Sequence, residues 1–201
     1  MARASRREQV LEAARALFIA NGYRGTSLRD IARKAGVTMG AIYHHFCNKE
    51  ALYLAVLQEH RILPYILRLG EMVASAEFPD NIEDVGREIW QAARENKDFF
   101  QLVYVDILEF GGRNVKPLVQ EMRAAGASVA EPLLRERIAR GELVDLHPQV
   151  VLRCLTDLFL HYYLEEMMLE KSLAADVGLD DREVSRQLAR ILLDGIRPRP
   201  R

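Results

Sequence analysis

Apolar residues recur at spacings of three and four along almost the whole 201-residue chain, and nowhere does apolar/polar alternation last long enough for a strand. Such a period lines up one face of a helix and is scattered over both faces of a sheet, so the chain is committed to an all-α fold. Glycine, proline and short polar capping residues at the ends of the periodic stretches divide it into about nine helices.

The first fifty residues carry the clearest punctuation. A helix over 5–20 aligns Val10, Ala14, Leu17 and Phe18 in one stripe and closes at Asn21-Gly22. A second opens at Ser27, with Asp30 three residues on, buries Leu28, Ile31, Ala32 and Ala35, and stops at Gly36. Thr38 is placed to cap a third helix reaching Phe46, with Val37 as a staple on Ile42, and Asn48 caps a fourth. Two short helices joined by a glycine-containing turn are the signature of a helix-turn-helix. Further helices are expected up to Pro64, over 82–96, 98–110, 115–140 (interrupted near Pro132), from Pro148 to about 171, and from Asp180 to about 195. The Arg-Pro-Arg-Pro-Arg tail is expected to be disordered.

In the third helix, Ile42 and Phe46 share the inner side, flanked by Met39 and by His45, which lies nearer the core. The outward side carries Gly40, Ala41, Tyr43 and His44, where a plain solvated face would carry Lys and Glu. Small residues at the leading end allow close approach to DNA bases, and Tyr43 and His44 can donate to phosphates; alternatively they fill gaps against helix 4. The N-termini of helices 2 and 4 suit phosphate, flanked by Thr26, Ser27 and Lys49, and Arg3, Arg6 and Arg7 precede helix 1, from where they could reach a groove or the backbone. Residues 1–50 hold nine Lys/Arg against four Asp/Glu, and the rest nineteen against twenty-five. That is a basic end on an acidic body, as a nucleic-acid contact at one end would require.

Other classes are disfavoured. Hydrophobic residues at 49% and charged residues at 28% describe a globular chain with a core. Cys47 and Cys154 lack any ligand spacing, which argues against a disulfide framework and a structural zinc. No hydrolase, phosphate-loop, dinucleotide or metalloprotease motif occurs, so neither enzyme activity, cofactor nor metal is expected. No uncharged apolar run approaches a membrane span of ~20 residues, and the first residues lack the apolar core of a signal peptide. A cytoplasmic protein without a membrane partner is expected.

The stretch from Ser27 to Phe46 followed by Asn48-Lys49-Glu50, the pattern Val10-Leu11-x-Ala13-Ala14-x-x-Leu17-Phe18 and Gly22-Tyr23-x-x-Thr26-Ser27 resemble the DNA-binding segment of TetR-type regulators, over about a quarter of the chain. The resemblance implies a three-helix DNA-binding domain over 1–50 and a larger helical effector-binding and dimerisation domain over 51–201. It implies a homodimeric repressor on a palindromic double-stranded operator, nucleoid-associated when bound and released by a small, lipophilic effector; the alternative is a DNA-binding protein of this fold with no effector, in an architectural or cell-division role. It implies DNA contacts at Thr38, Gly40, Tyr43, His44 and Lys49, beside Arg6, Arg7, Thr26, Ser27, Met39 and Ala41. An effector pocket is expected among the middle helices, with Trp90, Tyr104, Asp106, His161 and Tyr162 as candidates. Arg153, Asp157 and His161 could hold a ligand's polar group or form an i,i+4 pair and a capped histidine. Residues 150–169 read as apolar nearly all round, and the last helix carries a stripe, so Leu155, Phe159, Tyr163, Leu188, Ile191 and Leu192 are expected at a dimer interface.

Overall fold

Residues 5–169 and 173–196 are described by the computed structural model, and among them occur eleven helices and no strand. Arg3 and the Arg-Pro-Arg-Pro-Arg tail lie outside the described residues. Eleven replaces the expected nine because Pro64 starts a separate helix and a short helix precedes the last one.

The helices pack in two units, one reaching to His60 and including Asn96–Val119, the other formed by Arg61–Glu95 and the residues from Gln120 onward. In the first unit, α1 (Arg6–Asn21), α2 (Leu28–Ala35), α3 (Met39–His45), α4 (Lys49–Gln58), α7 (Lys97–Phe110) and the start of α8 (Val115–Ala139) enclose one core. Val10, Leu11, Ala14 and Phe18 of α1 meet Ile31, Ile42, Phe46, Leu52, Tyr53 and Val56, with Leu102 of α7 and Val115 added. Fifty residues would bury too little apolar surface alone; the core accordingly extends past residue 50, to α7. The Tyr53 hydroxyl donates to the Leu102 carbonyl at 3.3 Å, and Phe18, Tyr23, Tyr53 and Phe110 form an aromatic cluster with centroids 4.7–5.8 Å apart.

In the second unit, α6 (Ile82–Glu95) packs against α5 (Leu63–Ala74), α9 (Pro148–Leu169) and α11 (Asp181–Ile196); α10 (Leu173–Val177) leads into α11. Gly86 lets α9 approach closely, since a Cβ there would stand 2.7 Å from the Phe159 ring. Pro132 sits inside α8, which continues through it instead of breaking.

The expectation that α9 needs cover on all sides is corrected. Val151, Leu155, Phe159 and Tyr163 are buried within the chain's own second unit. Arg153, His161 and Glu165 are exposed along another side, with Asp157 half-buried among them. A polar stripe repeating every four residues gives this helix an ordinary solvated face, so its burial on one side suffices.

Candidate nucleic-acid interface

Each of α1 to α4 starts on a side-chain cap. Ser5 and Glu8 form a reciprocal capping box on α1, Glu8 N–H donating to Ser5 Oγ at 3.2 Å and Ser5 N–H to Glu8 Oε2 at 2.7 Å. The Ser27 hydroxyl accepts from Asp30 N–H at 3.2 Å and donates to the Asp30 carboxylate at 2.6 Å. That hydroxyl, helped by Arg33, holds the Asp30 carboxyl below the usual carboxylate range. Gly36, at φ 66° and ψ 32°, takes the left-handed conformation that turns the chain from α2, and Val37 N–H closes the turn on the Ala32 carbonyl at 3.1 Å. Thr38 Oγ1 then caps α3 through Ala41 N–H at 3.2 Å, and Asn48 Oδ1 caps α4 through Ala51 N–H at 2.8 Å.

Ile42 and Phe46 are buried, which sets the rotation of α3. Gly40, Tyr43, His44 and His45 are consequently exposed, Tyr43 at 55%, with Ala41 and Met39 half-buried. His45 thus sits on the surface, its ring 4.8 Å from that of His44, and not near the core as expected. A Cβ at Gly40 would meet only Thr38 Oγ1, at 3.8 Å. Nothing inside the chain therefore requires glycine there. Beside α3, an open cleft of about 580 Å³ is lined by Arg24, Ser27, Leu28, Arg29, Met39 and Tyr43, together with Gly25, Thr26 and Lys49. The first N–H groups of α2, those of Leu28 and Arg29, have no carbonyl of their own helix to bond.

Several expected contacts are spent inside the protein. Thr26 is buried and its hydroxyl lies on the carbonyls of Leu17 (3.0 Å) and Gly22 (2.8 Å). Lys49 Nζ donates to the carbonyls of Tyr23 (2.8 Å) and Thr26 (2.9 Å) and lies 4.1 Å from the Tyr23 ring centroid. Both side chains therefore hold the loop before α2. Arg6 and Arg7 lie within the first turn of α1, Arg6 exposed and Arg7 over the Phe46 ring at 5.7 Å with Glu59 3.5 Å away. Arg24 and Arg29 line the cleft although no motif singled them out; their only signal was a position flanking the cap of α2. Glu109 also escaped the sequence reading. Its carboxylate accepts the N–H groups of Tyr23 and Arg24, each at 2.8 Å, and such a pairing across 85 residues leaves no local trace.

Residues 10–56 match the family model of bacterial regulatory proteins, tetR family. Residues 10–56 are thus similar to the DNA-binding segment of that family. Over 93 residues the chain is 36% identical to the HTH-type transcriptional repressor AcnR of Corynebacterium diphtheriae, a match covering 44% of this chain and 46% of that one. The chain thus spans about half the length of the AcnR proteins it matches. Over 164 residues it is 29% identical to the HTH-type transcriptional repressor Rv1474c of Mycobacterium tuberculosis, covering 78% and 79% of the two chains. Among solved structures, NalD of Pseudomonas aeruginosa, the secondary repressor of the MexAB-OprM multidrug efflux pump, superposes with a TM-score of 0.64 at 23% identity over 96% of both chains. PfmR of Thermus thermophilus does so with a TM-score of 0.64 at 21% identity, over 98% of this chain and all of that one. The TetR-like fold thus runs the length of the chain.

The residues expected at an effector pocket are not gathered together. Asp106 is fully buried in the first unit, where it accepts Asn114 N–H, Asn114 Nδ2 and Val115 N–H and so anchors the start of α8. Tyr104, in the same unit, is exposed. In the second unit, Trp90 packs on Tyr163 (5.0 Å), Tyr162 neighbours Tyr163 (5.1 Å), and burial with Glu166 nearby pushes the Tyr162 phenol up to about 12. Arg153 pairs with Asp157, and exposed His161 donates from Nδ1 to the Asp157 carbonyl at 3.0 Å. Of the residues expected at a dimer interface, Leu155, Phe159 and Tyr163 are covered by their own chain, Leu188 and Leu192 are half-buried, and Ile191 is 66% exposed. Among the described residues, no group of three or more His, Cys, Asp or Glu is placed to hold a metal, and no helix is long and apolar enough to cross a membrane.

Proposed function

We propose that this chain is a transcriptional repressor that binds a palindromic DNA operator as a homodimer and is released by a small, lipophilic ligand. The observation that carries the DNA reading is the outward face of α3. Glycine inside a helix costs ~1 kcal/mol relative to alanine, and the packing around Gly40 gives nothing in return; the bare position serves close approach from outside. Tyr43, exposed beside it, and the cleft at the start of α2 complete a surface that offers side-chain donors, two arginines and helix N–H groups to a phosphate backbone. In this reading Ser27, Thr38, Met39, Ala41 and His44 border the DNA, while Thr26 and Lys49 shape the surface from within.

The homodimer would form on the free side of α9 and α11, where Leu146, Val150, Cys154, Ile191 and Leu192 line an apolar groove of about 170 Å³. Two-fold symmetry would match a palindromic site whose half-sites lie about one DNA turn (~34–36 Å) apart. Release by a lipophilic ligand is supported by the similarity of residues 10–56 to the tetR family and by the aromatic residues Trp90, Tyr162 and Tyr163 in the second unit.

Tyr43→Ala tests the DNA reading. It is expected to weaken binding to a duplex selected from a random-sequence pool by about tenfold or more, with an unchanged melting temperature because Tyr43 supports no core contact. Unchanged affinity in a fluorescence-anisotropy titration would remove α3 from the interface.

A further inference from the structure

The loop 22–26, from which α2 starts, is gripped from two sides by opposite charges. On one side the Glu109 carboxylate of α7 accepts the N–H groups of Tyr23 through Oε1 and of Arg24 through Oε2, each at 2.8 Å. On the other side the Lys49 ammonium of α4 donates to the carbonyls of Tyr23 and Thr26, at 2.8 and 2.9 Å. Each charge meets the end of the peptide dipole that suits it, so all four bonds are charge-assisted. Gly22, at φ 71°, makes the first grip possible: a Cβ there would run into Glu109 Oε1. The Glu109 side chain is only 20% exposed, which limits screening of its two bonds.

We propose that Glu109 is a positioning residue for DNA binding: through loop 22–26 its carboxylate sets where α2 begins, and with it the N–H groups of Leu28 and Arg29 that face the phosphate backbone. The proposal rests on the DNA-binding reading given above. It has a consequence that a mere surface acid does not share. A carboxylate near a DNA interface repels phosphate, so neutralising a surface acid tightens binding; neutralising a positioning acid weakens it. The two roles predict opposite signs.

The test uses the full-length protein and a duplex that the wild type selects from a random-sequence pool. Glu109→Gln keeps the size but turns an NH₂ toward one of the two N–H donors, so one bond is lost. It is expected to bind about tenfold more weakly. Its salt slope stays that of the wild type, because no phosphate contact has been removed. In the free variant the amide resonances of Tyr23 and Arg24 shift and exchange faster. Glu109→Asp keeps the charge and shortens the reach by one methylene; it is expected to fold and to bind about threefold more weakly. Glu109→Gln that binds as tightly as the wild type or tighter overturns the proposal, as do unchanged Tyr23 and Arg24 amides. Where Glu109→Gln does not fold, Glu109→Asp decides in the same way, since wild-type affinity in that variant overturns the proposal. A wild type that selects no duplex overturns the DNA reading itself and the proposal with it, an outcome distinct from a binding wild type with an equally tight variant.

Discussion

Adding one methyl group at Gly86 probes how closely α6 and α9 pack. In an unobstructed helix interior, Gly86→Ala would stabilise by ~1 kcal/mol through reduced backbone freedom. Here the new Cβ would lie 2.7 Å from Phe159 Cε1 and 3.0 Å from Cδ1 and Cζ, far inside ordinary contact. The Phe159 ring is fully buried and lies parallel to Tyr163 with centroids 6.2 Å apart, so it cannot swing into solvent. Overpacking of this kind costs ~1–3 kcal/mol, and a held ring places it in the upper part of that range. The net expectation is a loss of about 1–2 kcal/mol, seen as a melting temperature lower by about 2–8 °C in far-ultraviolet circular dichroism. In a Phe159→Leu background the same substitution should cost little or turn favourable, giving a coupling energy of ~1 kcal/mol or more in the double-mutant cycle. A Gly86→Ala protein that melts at or above the wild-type temperature would refute the close approach.

Asp106→Ala should destabilise by about 2–4 kcal/mol in chemical denaturation, because it leaves the N–H groups of Asn114 and Val115 and the Asn114 amide unpaired at a buried site; a loss below about 1 kcal/mol would contradict that anchoring role. His60 has a buried, unpartnered Nδ1 and packs on Phe99, and burial lowers its pKa from the ordinary 6.5. The unfolded chain therefore binds the proton first, so stability is full above 6.5 and falls as pH drops below it. His60→Phe should flatten that acid-side decline in melting temperature, and an unaltered pH profile would count against it. Ile191→Asp, at the most exposed large apolar residue of α11, should convert a micromolar dimer into monomer in sedimentation velocity while leaving the monomer folded. A wild type that is already monomeric removes the proposed groove interface.

The segment from α1 to α4 was legible in the sequence almost residue by residue. Ser27, Thr38 and Asn48 cap the helices they were expected to cap, Gly36 closes α2, and Ile42 with Phe46 turns the inner side of α3 to the core. These signals are local: a cap, its partner and the apolar period all lie within about four residues of one another. The outward residues Gly40, Tyr43 and His44 followed by subtraction.

What only the tertiary structure decided is where the long polar side chains go and which apolar faces find cover. Lys49 and Thr26 read as phosphate groups by sequence position, yet in the fold Lys49 turns inward to the carbonyls of Tyr23 and Thr26, and the Thr26 hydroxyl to those of Leu17 and Gly22. Asp106 read as a ligand group among apolar neighbours and is instead the acceptor for the start of α8. The apolar run of α9 pointed to a second subunit, but α6 covers Phe159 because Gly86 leaves room for it. Sequence periodicity says which face of a helix must be buried and nothing about what buries it. A side chain with several rotatable bonds and a charge takes the partner that distant segments deliver, as Lys49 takes the loop 22–26 on one side and Glu109 takes it on the other.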